Sequence, residues 1–316
     1  MNTPKKILVP YDFSENSRPA LDTALQLALK HEASLLILTV IERTPDDEVL
    51  KLIVLPKDLQ SRLKQKIHEE IHSLVPEAQR SKIHFEAVVK RGKAPVEILL
   101  AAEKEGADLI VMGTKGITGL KHVLLGSVAE KVIRQAGVPV WVCRGSGATL
   151  PKKILVPVDF SDYSRDALKL AMEYGSHFGA ELFLLHVVDL RDLYAFDLVA
   201  LETKPSLEDE LKKQARERLS QWGKAVTLSH HPEVRLGSPV VEIQEAVRQN
   251  QIDLVVLATH GRTGLKHLVM GSVAEQIVRY SPCSVLTVRP SEFFQSTKTL
   301  FDGEESFEKY MKSFRD

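Results

Sequence analysis

The chain repeats itself. "PKKILVPYDFSENSRPAL" from Pro4 returns as "PKKILVPVDFSDYSRDAL" from Pro151, an offset of 147 residues. "GKAPVEI" at Gly92 returns as "GSPVVEI" at Gly237, and "ADLIVMGT" at Ala107 returns as "IDLVVLAT" at Ile252, both 145 residues on. The two-residue loss falls between Leu38 and Gly92. A period this long marks duplication of a whole domain, because solenoid repeats are several times shorter. Two homologous domains follow, residues 1–146 and 150–290, joined by "GSGATL", with residues 291–316 as an extension. A chain of 316 residues has room for two such domains.

Each repeat alternates apolar runs with amphipathic segments. In the first, the runs are Lys6–Val9, Leu35–Val40, Ile83–Val89, Leu109–Met112 and Val138–Val142. In the second they are Lys153–Val156, Leu182–Val187, Pro232–Arg235, Leu254–Ala258 and Val285–Val288. Continuously apolar runs suit parallel strands buried on both faces. The fold class is therefore α/β, two tandem open parallel sheets of five strands with helices on both faces and right-handed crossovers. With a strand order of 3-2-1-4-5, the order reverses between strands one and four. Ligands of open α/β sheets bind beyond the carboxyl ends of the strands at that reversal. Strand one ends there at Pro10-Tyr11-Asp12, and strand four at Met112-Gly113.

From that point leaves a glycine-rich stretch, "GTKGITGLKHVLLGSVAEK" at Gly113, repeated as "ATHGRTGLKHLVMGSVAEQ" at Ala258. From Gly116 to Glu130 the copies agree at 11 of 15 positions. The stretch ends in Gly126-Ser127 just before a helical segment, and a helix start offers unpaired N–H groups and a positive dipole end to an anion. Gly113 and Gly116 let the backbone approach a ligand closely. Ser127 either caps the helix or donates to a phosphate oxygen, and Lys121 and His122 supply charge or a donor nearby. Asp12, with Asp159 in the second copy, closes strand one. Its carboxylate either accepts from an adenine amino group or ribose hydroxyl, or belongs to the cap of the following helix. Strand two ends at Val40 and Val187, whose backbone can read an adenine edge.

A first strand ending in Asp, followed after strand four by G-x2-G-x9-G-[ST], resembles the universal stress protein family. The likeness covers residues 4–145 and 151–290, which resembles a tandem two-domain member. It implies an adenine-nucleotide-alpha-hydrolase-like fold and ATP as ligand, with or without Mg²⁺. Gly113, Gly116, Gly126 and Ser127 would hold ribose and phosphates; Asp12 and the Val40 backbone would hold adenosine, with Pro10 and Tyr11 also in the nucleotide site. In the second repeat the resemblance carries to Asp159, Val187, Gly261, Gly271 and Ser272, but Ala258 stands where the first glycine belongs. A methyl group there is expected to crowd the sugar or phosphate and weaken the second site. Single-domain members pair through the fifth strand, which implies an intrachain pseudo-dimer through "VPVWVC" and "CSVLTV", with a homodimer also open. The function implied is a non-enzymatic, ATP-binding regulator in the stress response, working through an unknown protein partner. A slow ATPase or nucleotide hydrolase is the alternative, as is a binder of another small or lipidic ligand with a vestigial nucleotide site.

Other features narrow the field. Forty-two basic residues balance 42 acidic ones, so no global field holds a nucleic-acid backbone. No signal-peptide pattern or membrane-spanning apolar run is read, and Cys143 and Cys283 lie in apolar strands as reduced core residues, so a cytoplasmic setting is expected. His68-Glu69-Glu70-Ile71-His72 spells the H-E-x-x-H zinc pattern, but its charged helix has no counterpart in the second repeat and no third ligand. We read it as a solvated helix face. His230-His231 is placed in a surface loop before strand three. Phe307, Tyr310, Met311 and Phe314 recur with helical spacing in the tail, as an amphipathic helix for the body or a partner.

Overall fold

Strand β1 (Lys6–Pro10) runs through the middle of the first repeat's sheet, and its three central residues, Ile7, Leu8 and Val9, are wholly buried. In the computed structural model, residues 3–42, 57–116, 125–145, 150–189, 204–260 and 270–289 are described. The chain divides into two compact units with the boundary between Thr149 and Leu150.

In the first unit β1 is followed by α1 (Arg18–His31), β2 (Ser34–Glu42), α2 (Lys57–Leu74), α3 (Glu77–Arg80) and β3 (Phe85–Gly92). Then come α4 (Ala94–Lys104), β4 (Leu109–Gly113), α5 (Ser127–Gln135) and β5 (Val140–Cys143). The strands are hydrogen-bonded in the order β3-β2-β1-β4-β5, all parallel, with Ile7 opposite Leu35 on one side and Leu109 on the other. The second unit repeats the plan: β6 (Lys153–Pro157), α6 (Asp162–Phe178), β7 (Glu181–Asp189), α7 (Lys204–Gly223) and β8 (His230–Gly237). It closes with α8 (Pro239–Asn250), β9 (Leu254–Ala258), α9 (Ser272–Tyr280) and β10 (Ser284–Val288), in the strand order β8-β7-β6-β9-β10. Parallel neighbours need crossover connections, which the helices between the strands supply.

The reversal point is pinned from below. Asp108 Oδ2 accepts from the amides of Lys5 (2.8 Å) and Lys6 (3.0 Å), fastening the start of β1 beside β4. Asp253 does the same with Lys152 (2.8 Å) and Lys153 (2.9 Å). The two central strands of each unit are thus fixed at their amino ends, which sets the register carried up to their carboxyl ends.

His230 and His231 correct the loop placement: they open β8, pairing with Leu182 and Phe183. Pro232, read as the strand's first residue, is tolerated inside β8 because an edge strand can turn a missing N–H outward. His231 stacks on Phe183 (4.7 Å between ring centroids) and contacts Glu181 at 3.3 Å. Both cysteines are free; Cys143 is a buried residue of β5, whereas Cys283 is only part-buried and precedes β10, which corrects its placement as a core strand residue. Among the described residues no helix is long and apolar enough to cross a membrane. The tail helix anticipated at Phe307–Phe314 lies outside the described residues, as do Lys121, His122 and Gly261.

One difference between the repeats begins with a proline. In the second unit Ser161 caps α6, its hydroxyl accepting from the amide of Ser164 at 3.1 Å. In the first unit Pro19 occupies the position of Asp166. A helix begun at Glu15, the counterpart of Asp162, would drive the proline ring into the Glu15 carbonyl and lack the matching donor. The helix α1 therefore starts later, at Arg18, with Pro19 in its first turn. Residues 14–17 form a turn instead, in which the Ser17 amide is shared between Ser14 O at 3.1 Å and Ser14 Oγ at 3.2 Å, so the serine contact is kept while the helix start moves.

Candidate functional site

That turn reaches the glycine stretch. It places the Asn16 carbonyl so close to Gly113 that an added β-carbon would collide with it. Gly113 is thus required by its own neighbour within the fold. Ala258 stands where no such turn exists, because α6 already occupies that segment as helix.

The rest of the first site assembles around Asp12. Its Oδ1 accepts from the amide (3.0 Å) and hydroxyl (2.6 Å) of Ser14. A β-carbon on Gly116 would lie 2.5 Å from Asp12 Oδ2, so the loop passes directly over the carboxylate. The amide of Gly126 donates to Thr114 O at 2.7 Å, tying the far end of the glycine stretch to its beginning. At the start of α5, Gly126 is the N-cap and no side chain caps the helix. The first-turn amides are therefore left to another acceptor. Tyr11 is buried, its amide held by Leu38 O and its carbonyl by the Thr39 hydroxyl. Burial pushes the Tyr11 phenol above its ordinary value, against the opposing pull of Arg18.

The second unit builds the same corner with a cavity of about 770 Å³. Asp159, Val187, Gly271 and Ser272 all line it, from the ends of β6, β7 and the start of α9. Ala258, whose methyl group was expected to crowd the sugar or phosphate, lines the cavity too. Asp159 Oδ1 accepts from the Ser161 amide at 3.0 Å and its hydroxyl at 2.5 Å, as Asp12 does with Ser14. In both repeats the Asp therefore buttresses the serine that starts the turn or caps the helix, and its carboxylate also faces the reversal point. The next residue, Phe13 or Phe160, has φ near +64° in both repeats, a left-handed conformation that costs of order 1–3 kcal/mol for a non-glycine.

The sequence model of the universal stress protein family matches residues 3–144 and again 151–289. The chain belongs to the universal stress protein family. Universal stress protein MJ0531 of Methanocaldococcus jannaschii is 33% identical over 150 residues, 46% of this chain and 85% of that protein. A universal stress protein of Mycolicibacterium smegmatis is 26% identical over 295 residues, 90% of this chain and 97% of that one, consistent with the tandem arrangement. Among solved structures, a universal stress protein from Archaeoglobus fulgidus superposes with a TM-score of 0.62 at 22% identity, covering 90% of this chain and 98% of that one. The likeness shows the adenine nucleotide alpha-hydrolase-like fold.

Within this universal stress protein the second cavity contains residues that sequence reasoning passed over. Phe160 packs against His186 (4.3 Å between centroids) and edge-on to Trp222 (5.7 Å), with the Arg218 guanidinium 4.5 Å above its ring. Phe160, His186 and Arg218 line the cavity. His186 Nδ1 donates to Val158 O at 2.6 Å, replacing the Thr39 hydroxyl of the first repeat. A buried histidine in an otherwise apolar strand was the available signal. Of the H-E-x-x-H residues, Glu69, Glu70 and His72 are exposed, and the His72 ring lies 4.8 Å from the Phe85 ring on β3. No group of three or more metal-ligating residues occurs among the described residues.

Proposed function

We propose that this universal stress protein binds ATP at the sheet reversal and acts as a nucleotide-dependent regulator in the stress response, without turning the nucleotide over. The cavity of the second repeat carries this reading. Its volume of about 770 Å³ falls in the range of small-molecule sites, and it brings a carboxylate, a strand-end backbone and a helix N-terminus to one place. Asp159 and the Val187 backbone suit adenosine. Gly271 and Ser272 suit phosphate oxygens, since the α9 N-terminus has no side-chain cap and its dipole favours anions. In the first repeat Asp12, Gly116, Gly126 and Ser127 take the corresponding roles, while Gly113 serves the site by admitting the Asn16 carbonyl.

Titration of the purified chain with ATP tests the reading, together with mass spectrometry of any small molecule released on denaturation. Saturable binding that is lost when Gly126→Asp and Gly271→Asp are combined is the expected result. No affinity for ATP, with Mg²⁺ present or absent, would overturn it.

A further inference from the structure

The two glycine stretches begin differently: Gly113-Thr114-Lys115 in the first repeat, Ala258-Thr259-His260 in the second. The backbone holds the third residue of each at the same place. Gly271 donates its amide to Thr259 O at 2.8 Å, as Gly126 does to Thr114 O at 2.7 Å. His260 is thereby fixed next to the first turn of α9, and it lines the same cavity as Gly271 and Ser272. In the first repeat, the Lys115 Cα lies 3.5 Å from where a β-carbon on Gly126 would sit.

We propose that His260 makes the second repeat's hold on phosphate proton-dependent, whereas the first repeat has Lys115 at the matching position. The proposal rests on the nucleotide reading of the cavity and assigns His260 as a specificity-determining residue within it. His260 Nδ1 lies 3.0 Å from Thr259 Oγ1, which in turn lies 3.4 Å from the Val288 carbonyl. A carbonyl can only accept, so a hydroxyl directed at Val288 leaves Thr259 Oγ1 to accept from Nδ1–H. The proton gained on acidification then goes to Nε2.

The charges around the ring set the direction. Burial, and then the positive charge of Arg289 beyond β10, lower the imidazole below its ordinary value. Tyr163 of α6 presents its ring at 6.3 Å. Asp159, His186, Asp189 and Arg218 line the same cavity from β6, β7 and α7. Unliganded, His260 gives up its proton more readily than a free imidazole. A phosphate beside it favours the imidazolium, so binding takes up a proton. Affinity therefore rises as pH falls through the bound-state value, and levels off below the free-state value.

The experiment uses the full-length chain with the first repeat closed by Gly126→Asp, titrated with ATP between pH 7.5 and 5.5. The same titration is run with His260→Gln and His260→Lys added. The phosphates of ATP lose charge over this range in every variant, so the readout is affinity relative to His260→Gln. A relative gain of at least about threefold at the acid end is expected, since a charge-assisted hydrogen bond is stronger than its neutral counterpart. Calorimetry in buffers of different ionisation enthalpy should register proton uptake that His260→Gln abolishes, and His260→Lys should bind with no such gain. An affinity ratio between the chain retaining His260 and the His260→Gln variant that stays constant with pH would overturn the proposal while leaving nucleotide binding intact. Absence of binding at every pH in all three chains would overturn the nucleotide reading as well.

Discussion

Asn16 presents its backbone carbonyl to Gly113 so closely that only a glycine fits. This contact exists because Pro19 delays the start of α1, and it explains a glycine that sequence logic assigns to the ligand. Gly113→Ala should cost about 1–3 kcal/mol, as overpacking does, because backbone must move to admit the methyl group. The reciprocal Ala258→Gly should cost about 1 kcal/mol or less. Urea unfolding of both variants measures the asymmetry; equal effects would contradict the account.

Asp159 has a structural duty and a proposed ligand duty, and the two are separable. Asp159→Asn keeps an acceptor for the Ser161 amide and hydroxyl, so stability should stay within about 0.5–1 kcal/mol of the parent. Asp159→Ala removes both bonds and loosens the α6 cap, at about 1–2 kcal/mol. If the carboxylate holds ribose, both variants weaken ATP at the second site. Thermal unfolding and calorimetry on the same samples distinguish the two roles.

The Asp108 clasp lies at the opposite edge of the sheet from the site. Asp108→Ala leaves the Lys5 and Lys6 amides without their carboxylate partner. It should lower the first repeat's stability by about 1–3 kcal/mol. Binding at the second repeat should be unchanged. Hydrogen exchange at β1, faster in the variant than in the parent, reports the loosening.

Cys143 is sealed inside the first unit, and burial pushes its thiol up to about 12 despite a hydrogen bond with Thr23. At pH 8 about one such thiol in ten thousand is ionised. Alkylation of native protein should therefore spare Cys143, and denaturant should expose it. Mass mapping after a pulse of iodoacetamide gives the answer directly.

Much of this architecture could be read from the chain because the duplication lets each repeat check the other. β1 and β6 share the run KILVP, and both end at an Asp that the fold carries to the reversal point. The misplacement of His230-His231 has a local cause: Pro232 looks like a strand boundary, and only the edge position of β8 makes it acceptable. The meaning of Ala258 was hidden for a different reason. Gly113 answers to Asn16, 97 residues away in sequence, and Asn16 is where it is because of Pro19. His186 and His260 gain significance only when the strand ends converge. Neither position is marked by spacing, since the first repeat has Thr39 and Lys115 there.

The central claim is that the reversal point of the second repeat holds the nucleotide. It is tested most directly by calorimetric titration of the Gly126→Asp chain with ATP, in parallel with the Gly126→Asp, Gly271→Asp double variant. The account predicts one ATP per chain for the first and none for the second. Equal binding by both chains, or no binding by the first, would contradict it.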